Sequence, residues 1–468
     1  MSQHRDYFFC GIGGSGMTPL ALIIQARGGG VEGSDRALDQ GRNGERFDFL
    51  RARGIPLHPQ DGSGMRRDSQ ILVTSAAVEE TIPDVQAARR LGAAVMTRAQ
   101  LLAQLFNQSG LAVGVAGTSG KSTTVGMIGW ILHRAGKSPT IMNGADMKSF
   151  IDPGSPFASA RVGDGDIFVS EVDESDGSIA LFEPRIAVVN NISLDHKSLD
   201  ELRGLFRGFV AGAQTVILNL DNTETAALAA DLKPGQAVTY SLGAAPADLV
   251  ASTVIPMPAG IAFQVKACDS SESVTVKLKV PGLHNVSNAL AALCVAKVCG
   301  VGLAEAASYL GEFSGIRRRL EVVGTVNDIT VIDDFAHNPD KIAATLATLH
   351  AFPGRLLLMF QPHGYGPIRL MRNALVDCFV HGLNDEDVLF MPEPVYFGGT
   401  VDRSVGSRDI IRDIERQGRH AVAFPDRGGC GDALIELARR GDRIVIMGAR
   451  DDSLSHFAHE LLRRIAKS

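Results

Sequence analysis

A short glycine-rich segment, residues 117–123, carries a lysine and hydroxyl side chains in the order Gly-Thr-Ser-Gly-Lys-Ser-Thr. It follows an apolar run at 111–115 and precedes a helical pattern that places Val125 and Ile128 on one face. At a turn between a strand and a helix, backbone N–H groups bind phosphate, a lysine such as Lys121 binds the outer phosphates, and a hydroxyl binds Mg²⁺. The segment therefore predicts a polyphosphate site, with a glycine turn that carries an exposed lysine as the alternative.

Acidic and polar side chains follow two further strand-like runs, and we expect them to lie beside this loop. Glu171 ends the run 167–171, and acids and a serine fill residues 173–176. Mg²⁺ prefers oxygen ligands, so this segment is a candidate magnesium site, with a solvated acidic loop as the alternative. The run 186–190 leads to His196, for which a surface histidine is the alternative.

The N-terminal residues 11–16 fit the pattern G-x-G-x-x-G between a strand-like run at 7–10 and a helical pattern. Asp35 lies at about the distance at which a ribose-binding acid follows this pattern. Taken alone, the pattern favours NAD and a dehydrogenase, but any nucleotide diphosphate, including UDP, fits the same turn. A hydride-transfer enzyme would not explain the second phosphate loop at 117–123. A glycine turn at 11–16 that only allows close packing of strand and helix is a further alternative.

The length and composition limit the classes of protein that are possible. The 468 residues are enough for about three domains at roughly 150 residues each. The formal net charge of −6 indicates no overall basic surface of the kind that binds nucleic acid, so we expect no nucleic-acid partner. The six cysteines form no C-x-x-C pair, which leaves metal or redox use without support. No apolar run is long enough to span a membrane and no signal peptide is visible, so we expect a soluble cytoplasmic protein with no membrane partner.

Strand-like runs alternate with helical patterns along the whole chain, which favours an α/β fold with mostly parallel sheets. Three blocks are visible, with boundaries expected near residues 107 and 316. A more β-like insertion is predicted at 247–280, within the second block. The third block contains strand-like runs, each followed by a helical stretch, at 329–332, 356–360, 388–391, 421–424 and 444–447.

Short segments in a fixed order along the chain resemble the Mur ligases, the ATP-dependent amide-forming enzymes of peptidoglycan synthesis. The matching segments are GIGGSGM at Gly11, EGSD at Glu32, TSAAV at Thr74, GTSGKSTT at Gly117, EVDESD at Glu171, NNISLDH at Asn190, GLHNVSNALAA at Gly282, SGIRRRLE at Ser314, DDFAHNP at Asp333 and FQPH at Phe360. The resemblance covers essentially the whole chain and is strongest to the branch that adds alanine. It implies an α/β fold of three domains: a Rossmann-like UDP-sugar domain at 1–107, a central phosphate-loop ATP-binding domain with a parallel sheet at 108–316, and a Rossmann-like amino-acid domain at 317–468.

The resemblance also implies roles for individual residues. The implied ATP contacts are Gly117, Thr118, Ser119, Gly120, Lys121, Ser122, Thr123, His284, Asn285, Asn288, Arg319 and Asp334. The implied metal ligands are Ser122, Thr123, Glu171 and His196. The implied contacts of the nucleotide sugar are Gly13, Ser15, Gly16, Asp35, Asp173, Glu174 and Ser175. The groups implied to act in catalysis are Lys121, His196, Arg319, His337 and His363.

The implied reaction is the ATP-dependent formation of an amide. A carboxylate of a UDP-N-acetylmuramate-type nucleotide sugar attacks the γ-phosphate of ATP, and the acyl phosphate then reacts with the amine of an amino acid or short peptide. Lys121, Arg319 and Mg²⁺ would position and neutralise the phosphates, which is most of the catalysis in phosphoryl transfer. His337 or His363 would remove the proton of the amine, with an ordinary loop histidine as the alternative.

The departures from the family pattern lie on the side of the incoming amine. Alanine-adding enzymes usually carry an arginine directly after the histidine that matches His363, and another three positions on. Gly364 and Pro367 stand at those positions here, and the first arginine to follow is Arg369. The acceptor, L-alanine or another amino acid or peptide, therefore stays open, as does the oligomeric state. A muropeptide-recycling ligase, a non-catalytic paralogue and a NAD-dependent oxidoreductase are the alternatives.

Overall fold

The computed structural model describes residues 5–75, 78–193, 197–243, 245–269, 271–395, 402–449, 451 and 453–467. Its strands form three sheets. Most neighbouring strands in these sheets run parallel, because helices or longer crossovers connect them. Across these residues, no helix combines the length and the apolar character that crossing a membrane requires.

The first sheet lies at the N-terminal end of the chain. Its elements are β1 (Asp6–Cys10), α1 (Met17–Ala26), β2 (Gly30–Ser34), α2 (Arg36–Asp39), α3 (Gly44–Ala52), β3 (Leu57–His58), β4 (Gln70–Thr74), α4 (Pro83–Leu91), β5 (Val95–Thr97) and α5 (Arg98–Asn107). The parallel strands follow the order β3-β2-β1-β4-β5. Ligands of such sheets bind at the carboxyl ends of the strands where the order reverses, which is where the loop 11–16 leaves β1.

The central sheet carries the phosphate loop and is the largest of the three. Its elements are β6 (Leu111–Ala116), α6 (Lys121–Arg134), β7 (Thr140–Met142), β8 (Ala160–Arg161), β9 (Ile167–Glu171), β10 (Ile186–Val189), α7 (Leu199–Ala211), β11 (Thr215–Asn219), α8 (Thr223–Ala229), β12 (Ala237–Ser241), β13 (Leu249–Met257), β14 (Gly260–Ala267), β15 (Ser273–Leu278), α9 (Leu283–Val298) and α10 (Leu303–Leu310), with 3₁₀ turns at Lys148–Phe150 and Ser178–Leu181. The strand order is β15-β14-β13-β12-β11-β10-β6-β9-β7-β8. β9 and β10 flank β6, so the acids after β9 emerge beside the phosphate loop.

The third sheet is built from the C-terminal part of the chain. Its elements are β16 (Glu321–Val326), β17 (Ile329–Asp334), α11 (Pro339–His350), β18 (Leu356–Gln361), α12 (Tyr365–Leu370), α13 (Arg372–Gly382), β19 (Val388–Pro392), α14 (Ser407–Glu415), β20 (His420–Phe424), α15 (Arg427–Leu437), β21 (Arg443–Gly448) and α16 (Ser453–Ile465). The order is β16-β17-β21-β18-β19-β20, and only β16 is antiparallel to its neighbour. β17 and β18 end in the segments that contain the predicted histidines.

One hydrophobic core joins the first two sheets, whereas the third sheet has its own cores on its two faces. In the shared core, Phe106 packs edge-on against Phe168 and Phe182, with ring centroids 5.9 and 5.4 Å apart. The chain accordingly divides into two compact units. The first contains residues 1–253, 263–277 and 286–314, and the second contains residues 254–262, 278–285 and 315–468.

The predicted α/β architecture with mostly parallel sheets is confirmed, and every strand predicted in the third block forms. The β-like insertion is the set of strands β13 to β15. The edge strand β16 was not predicted, because its residues are only partly buried and Gly324 interrupts the apolar pattern. The boundaries at 107 and 316 stay predictions, since the compact units do not separate the first two sheets.

Candidate active site

The phosphate loop connects β6 to α6 as the sequence predicts, and Lys121 is the first residue of the helix. Gly120 precedes it with a φ of 84°, a left-handed conformation that glycine adopts without steric cost. A Cβ at Gly120 would also lie 2.4 Å from the Oδ1 atom of Asn288. Both the backbone conformation and the close approach of a neighbouring side chain therefore require glycine here.

Asn191, which follows β10, holds the loop in place. Its Oδ1 atom accepts hydrogen bonds from the Thr118 hydroxyl at 2.7 Å and from the Ser119 N–H at 2.9 Å. Its Nδ2 atom donates to the Ser119 carbonyl at 3.1 Å. Asn191 lies within the sequence motif, although the motif alone does not indicate its role. It fixes the backbone of the phosphate loop.

Lys121 and Glu174 form a buried ion pair at the centre of the site. The Lys121 Nζ atom donates to the Glu174 Oε2 atom at 2.9 Å and to the Gly117 carbonyl at 2.7 Å. The two side chains are only 13% and 6% exposed. Burial opposes the charge of the lysine, yet the surrounding carboxylates, Glu174 first, raise the pKa of Lys121. Burial also raises the pKa of Glu174, although Lys121 acts against it. Glu174 is thus the carboxylate that Lys121 contacts in this structure.

The predicted metal ligands Ser122 and Glu171 lie together. The Ser122 hydroxyl donates to the Glu171 Oε2 atom at 2.9 Å, and the Gly144 N–H donates to the same oxygen at 3.0 Å. Thr123 is buried in the first turn of α6. His196 lies outside the described residues, so its predicted role is not tested. The described part of the chain thus brings two oxygen donors together beside Lys121.

Of the residues predicted to face adenine, Asn288 is joined to the phosphate-loop helix. Its Oδ1 atom accepts a hydrogen bond from the Thr124 hydroxyl at 3.2 Å. Asn285 donates to the Pro281 carbonyl at 2.6 Å, and His284 is exposed. All three predicted residues lie in the first two turns of α9.

In the structure, Asp35 contacts the loop that follows β1. Its carboxylate accepts the Gly13 N–H at 2.8 Å and the Ala37 N–H at 2.7 Å. Arg46 donates to the Gly13 carbonyl at 2.7 Å. Asp35 therefore holds the loop and caps α2, and its contact with a ribose stays a prediction. Ser15 is exposed at the tip of the loop.

The acidic loop after β9 is internally braced. The Asp173 Oδ1 atom accepts the Ser175 N–H at 2.9 Å. Burial opposes the charge of Asp173, but Lys121 is the largest influence that lowers its pKa below the ordinary value. Asp173, Glu174 and Ser175 therefore lie next to the phosphate loop, and their contact with a nucleotide sugar stays a prediction.

In the second compact unit, Phe335 contacts Arg319 and His337, and His337 in turn contacts His363. The Arg319 guanidinium lies 4.3 Å from the centroid of the Phe335 ring. The His337 ring lies 5.4 Å from Phe335 and 5.5 Å from His363, and both contacts are edge-on. The sequence motif contains Phe335, but only the structure shows that it lies between Arg319 and His337.

Two neighbouring residues have structural roles in the same region. Arg318 is 7% exposed and donates to the Gly448 carbonyl at 2.7 Å, whereas Arg319 is only partly buried. Asp334 is 5% exposed, and its Oδ2 atom accepts a hydrogen bond from the Thr345 hydroxyl at 2.5 Å. Its Oδ1 atom accepts the Leu320 N–H at 3.1 Å. Asp334 therefore braces the segment that presents Arg319, and its contact with a ribose stays a prediction.

The protonation of His337 bears on its predicted role as a base. Burial, reinforced by the positive charge of Lys341, lowers the pKa of His337 to about 3. The ring is therefore neutral near pH 7 and can accept a proton, but so low a pKa makes it a weak base in this conformation. After His363, Gly364 has a φ of 152°, which other residues rarely adopt. Arg369 forms an ion pair with Asp402, and both are half exposed.

Taken together, the sheets and the Lys121 loop define a phosphate-loop α/β enzyme. Three domain families match the chain in order. They are the Mur ligase family, catalytic domain, over residues 6–109; the Mur ligase middle domain over residues 115–296; and the Mur ligase, glutamate ligase domain, over residues 318–450. The chain belongs to the Mur ligase family and is an ATP-dependent acid–amino-acid ligase. This membership accounts for both glycine loops, which the dehydrogenase alternative did not.

Relatives named UDP-N-acetylmuramate–L-alanine ligase are similar over nearly the whole chain. The one from Jannaschia sp. (strain CCS1) is 35% identical over an alignment that covers 99% of this chain and 96% of the relative. The one from Synechococcus sp. (strain JA-3-3Ab) is 34% identical over 449 residues, 95% of this chain and 84% of the relative. The structure of the UDP-N-acetylmuramate–alanine ligase of Thermotoga maritima matches with a TM-score of 0.79 at 25% identity, covering 99% of this chain and all (100%) of that one. A murein peptide ligase from Psychrobacter arcticus has the same fold, with a TM-score of 0.70 at 24% identity and 99% coverage of both chains.

Proposed function

We propose that this ligase activates the carboxylate of a UDP-N-acetylmuramate-type nucleotide sugar with ATP and joins it to the amine of L-alanine or a related acceptor. The product would be an amide precursor of peptidoglycan. The observation that carries the proposal is the group formed by Lys121, Ser122 and Glu171 at the start of α6. It combines a cation for the outer phosphates with an oxygen pair for a metal, within a family of amide-forming ligases.

The mechanism requires the chain to hold ATP and to neutralise the charge that moves during phosphoryl transfer. The backbone of the loop, fixed by Asn191, faces the phosphates, and Lys121 binds the β- and γ-phosphates after it leaves Glu174. Asn288 is proposed to face adenine, together with His284 and Asn285. Arg319 and Asp334 keep the roles that the family resemblance implies, at the γ-phosphate and the ribose. These residues act by position and charge, since phosphoryl transfer needs little covalent help.

Mg²⁺ is the proposed metal, and the residues present fit it. Ser122 and Glu171 offer two oxygens 2.9 Å apart, and Mg²⁺ is usually held by one or two carboxylates together with phosphate oxygens and water. Within the described ranges, no group of three or more His, Cys, Asp or Glu side chains is arranged to hold a metal ion by itself. An ion that shares its ligands with the nucleotide agrees with that finding. Bound there, Mg²⁺ would neutralise phosphate charge, with Thr123 and His196 as further proposed ligands.

The nucleotide sugar is proposed to bind the loop after β1, through Gly13, Ser15 and Gly16, with Asp35 bracing that loop. The acidic loop 173–175 is proposed to contact its sugar portion. The proposed domain limits are 1–107 for the nucleotide sugar, 108–316 for ATP and 317–468 for the acceptor. These limits agree with three separate sheets but not with a separate first core.

The acceptor is the least constrained part of the proposal. The named relatives are L-alanine ligases, and His337 with His363 would line the acceptor pocket and take the amine proton. Gly364, with its unusual backbone, stands where the alanine-adding enzymes usually have an arginine, and Arg369 is paired with Asp402. Neither residue therefore favours a bidentate contact with the carboxylate of alanine. A peptide acceptor, as in muropeptide recycling, is therefore the second candidate.

Phosphate release from ATP tests the proposal. The protein, with Mg²⁺ and UDP-N-acetylmuramate, is assayed against single amino acids and against short peptides that begin with L-alanine. Release that requires both the nucleotide sugar and one acceptor supports the ligase and identifies that acceptor. Stimulation by peptides alone favours recycling. Release that no acceptor or nucleotide sugar stimulates would contradict the proposed reaction.

A further inference from the structure

Arg98, which belongs to none of the predicted sites, lies against the glycine loop of the first sheet. It is the first residue of α5, and its side chain is partly buried. A Cβ built on Gly16 would lie 3.0 Å from the Arg98 Cδ atom, 3.3 Å from Nε and 3.4 Å from Nη1. The guanidinium therefore runs alongside the last residue of the loop, directly before α1.

Arg98 differs from the other guanidinium at this loop. Arg46 donates to the Gly13 carbonyl at 2.7 Å and stacks over the Phe157 ring at 4.8 Å. Arg98 makes no hydrogen bond and has no carboxylate within 4.0 Å among the residues that the structure describes. A guanidinium carries five N–H donors. Arg46 holds the loop, whereas Arg98 has its donors available.

Further donors converge on the same place. Gly16 is the N-cap of α1 and supplies no side-chain cap. Within the described ranges, the N–H groups of Ser15 and Gly16 have no protein acceptor. The N-terminus of a ten-residue helix also carries partial positive charge. Open backbone donors, the positive end of a helix dipole and a guanidinium thus lie together at the start of α1, a combination that favours an anion.

Arg98 also acts on the acidic loop beside the phosphate loop. After burial and Lys121, the charge of Arg98 is among the influences on the pKa of Asp173, which it lowers. Both loops belong to the first compact unit. The guanidinium of Arg98 therefore lies near enough to the acidic loop for its charge to favour the ionised form of Asp173.

We propose that Arg98 binds the diphosphate of the nucleotide sugar and so fixes the substrate at the glycine loop. This inference rests on the proposed function, because it takes the ligand of that loop to be a uridine diphosphate derivative. The planar guanidinium pairs two of its N–H groups with phosphate oxygens, which a lysine does not reproduce. The nearby N–H groups of Ser15 and Gly16 bind the remaining oxygens.

Calorimetric titration of UDP and UMP into the full chain tests the proposal. We expect Arg98→Ala to weaken UDP binding by about ten- to a hundredfold, the range for a lost charge-assisted pair, and UMP binding much less. Arg98→Lys keeps the charge without the fork and is expected to recover part of the affinity. Arg89→Ala is the matched control, because it removes an exposed guanidinium of the same domain, paired with Glu80, and is expected to change nothing.

Each outcome separates this proposal from the proposed function. If the unaltered protein binds UDP and UDP-N-acetylmuramate and Arg98→Ala binds both equally well, the role of Arg98 is wrong while the donor stands. If only UDP-N-acetylmuramate binding falls, the guanidinium contacts the sugar carboxylate and the diphosphate assignment is overturned. If the unaltered protein binds neither, the proposed donor fails, and this inference fails with it. If Arg98→Ala does not fold, Arg98→Lys is the deciding variant. If Arg98→Lys binds UDP as tightly as the unaltered protein does, the bidentate contact is overturned.

Discussion

Two glycine loops open helices in the first compact unit, and they differ in where their cation comes from. In both, a short polar side chain at the end of a neighbouring strand fixes the loop: Asp35 holds one, and Asn191 holds the other. In the phosphate loop the cation is Lys121, part of the motif itself and already paired with Glu174. At the N-terminal loop it is Arg98, which comes from α5 and makes no ion pair within the described ranges.

This difference has a consequence for binding. The lysine of the phosphate loop has an internal partner, so a nucleotide must displace Glu174 before Lys121 can reach a phosphate. The N-terminal loop keeps open donors, so its ligand meets a preformed site. Preformed donors lower the cost of ordering the site on binding. We therefore expect the two loops to respond oppositely to removal of their charged neighbours.

The largest expected effect is that of Lys121→Ala. Without the cation at the outer phosphates, ATP-dependent phosphate release should fall at least about a thousandfold, because charge stabilisation dominates phosphoryl transfer. Binding of UDP should stay unchanged, since it uses the other loop. Lys137→Ala, beyond the far end of α6, is the control and should keep normal turnover. Near-normal turnover in Lys121→Ala would remove the phosphate loop from the reaction.

Glu174→Gln tests whether Glu174 competes with the nucleotide. The buried lysine loses its main partner, so the free energy of unfolding without nucleotide should fall by about 3 kcal/mol. ATP, no longer opposed by the carboxylate, should bind more tightly than to the unaltered protein. Denaturation and titration measure the two effects separately. The exposed Glu183→Gln is the control. Weaker ATP binding in Glu174→Gln would show that the carboxylate helps to hold the nucleotide.

A pair of alanine substitutions compares the loops directly. A Cβ at Gly120 would lie 2.4 Å from the Asn288 Oδ1 atom at a φ of 84°, and one at Gly13 would lie 2.8 Å from the Phe47 ring. Strain of about 1–2 kcal/mol corresponds to roughly tenfold weaker binding. Gly120→Ala should weaken ATP and spare UDP, and Gly13→Ala should do the reverse. Gly136 has a left-handed backbone but open space around it, so Gly136→Ala measures the cost of the backbone conformation without a steric clash. Equal loss of both ligands in both variants would argue against independent loops.

The smallest expected effect is the change of stability with pH that comes from His337. The pKa of His337 is about 3 in the folded protein, against about 6.5 in an unfolded chain. Below pH 6.5 the unfolded chain binds a proton that the folded protein does not, so stability falls as the pH is lowered towards 3. The slope is at most about 1.4 kcal/mol per pH unit. His337→Asn should flatten the fall in denaturation measured between pH 7 and 5. An unchanged slope would mean that this ring is not the titrating group.

Much of the fold and of the phosphate site could be predicted because local rules determine them. Lys121, Ser122 and Glu171 meet because they follow adjacent parallel strands of one sheet, and strand ends are visible as apolar runs. Other features depend on packing between distant segments. Arg98 reaches Gly16 only through the fold, and Phe335 is recognised as a link only when its neighbours are placed. Neither face of the edge strand β16 is buried, so its sequence shows no apolar alternation that would predict a strand.

The carboxylates were the least predictable group, because their partners decide their roles. Asp35 accepts the Gly13 N–H and Asp334 accepts the Leu320 N–H, each from a segment distant in the sequence, and their contacts with riboses stay predictions. Glu174 is paired with Lys121, and its contact with the nucleotide sugar stays a prediction. Sequence patterns locate an acidic residue at the end of a strand. Whether its carboxylate pairs with a backbone N–H group, a lysine or a ligand depends on distances of a few tenths of an ångström.

The central claim is that a substrate carboxylate attacks the γ-phosphate of ATP. Its most direct test uses UDP-N-acetylmuramate labelled with ¹⁸O in the carboxylate, with ATP, Mg²⁺ and the acceptor found in the assay. If an acyl phosphate forms, the amine displaces a phosphate that keeps one carboxylate oxygen, so mass spectrometry of the released phosphate should find one ¹⁸O atom. Unlabelled phosphate accompanied by amide product would contradict the acyl-phosphate route, and unlabelled phosphate without product would reduce the activity to ATP hydrolysis.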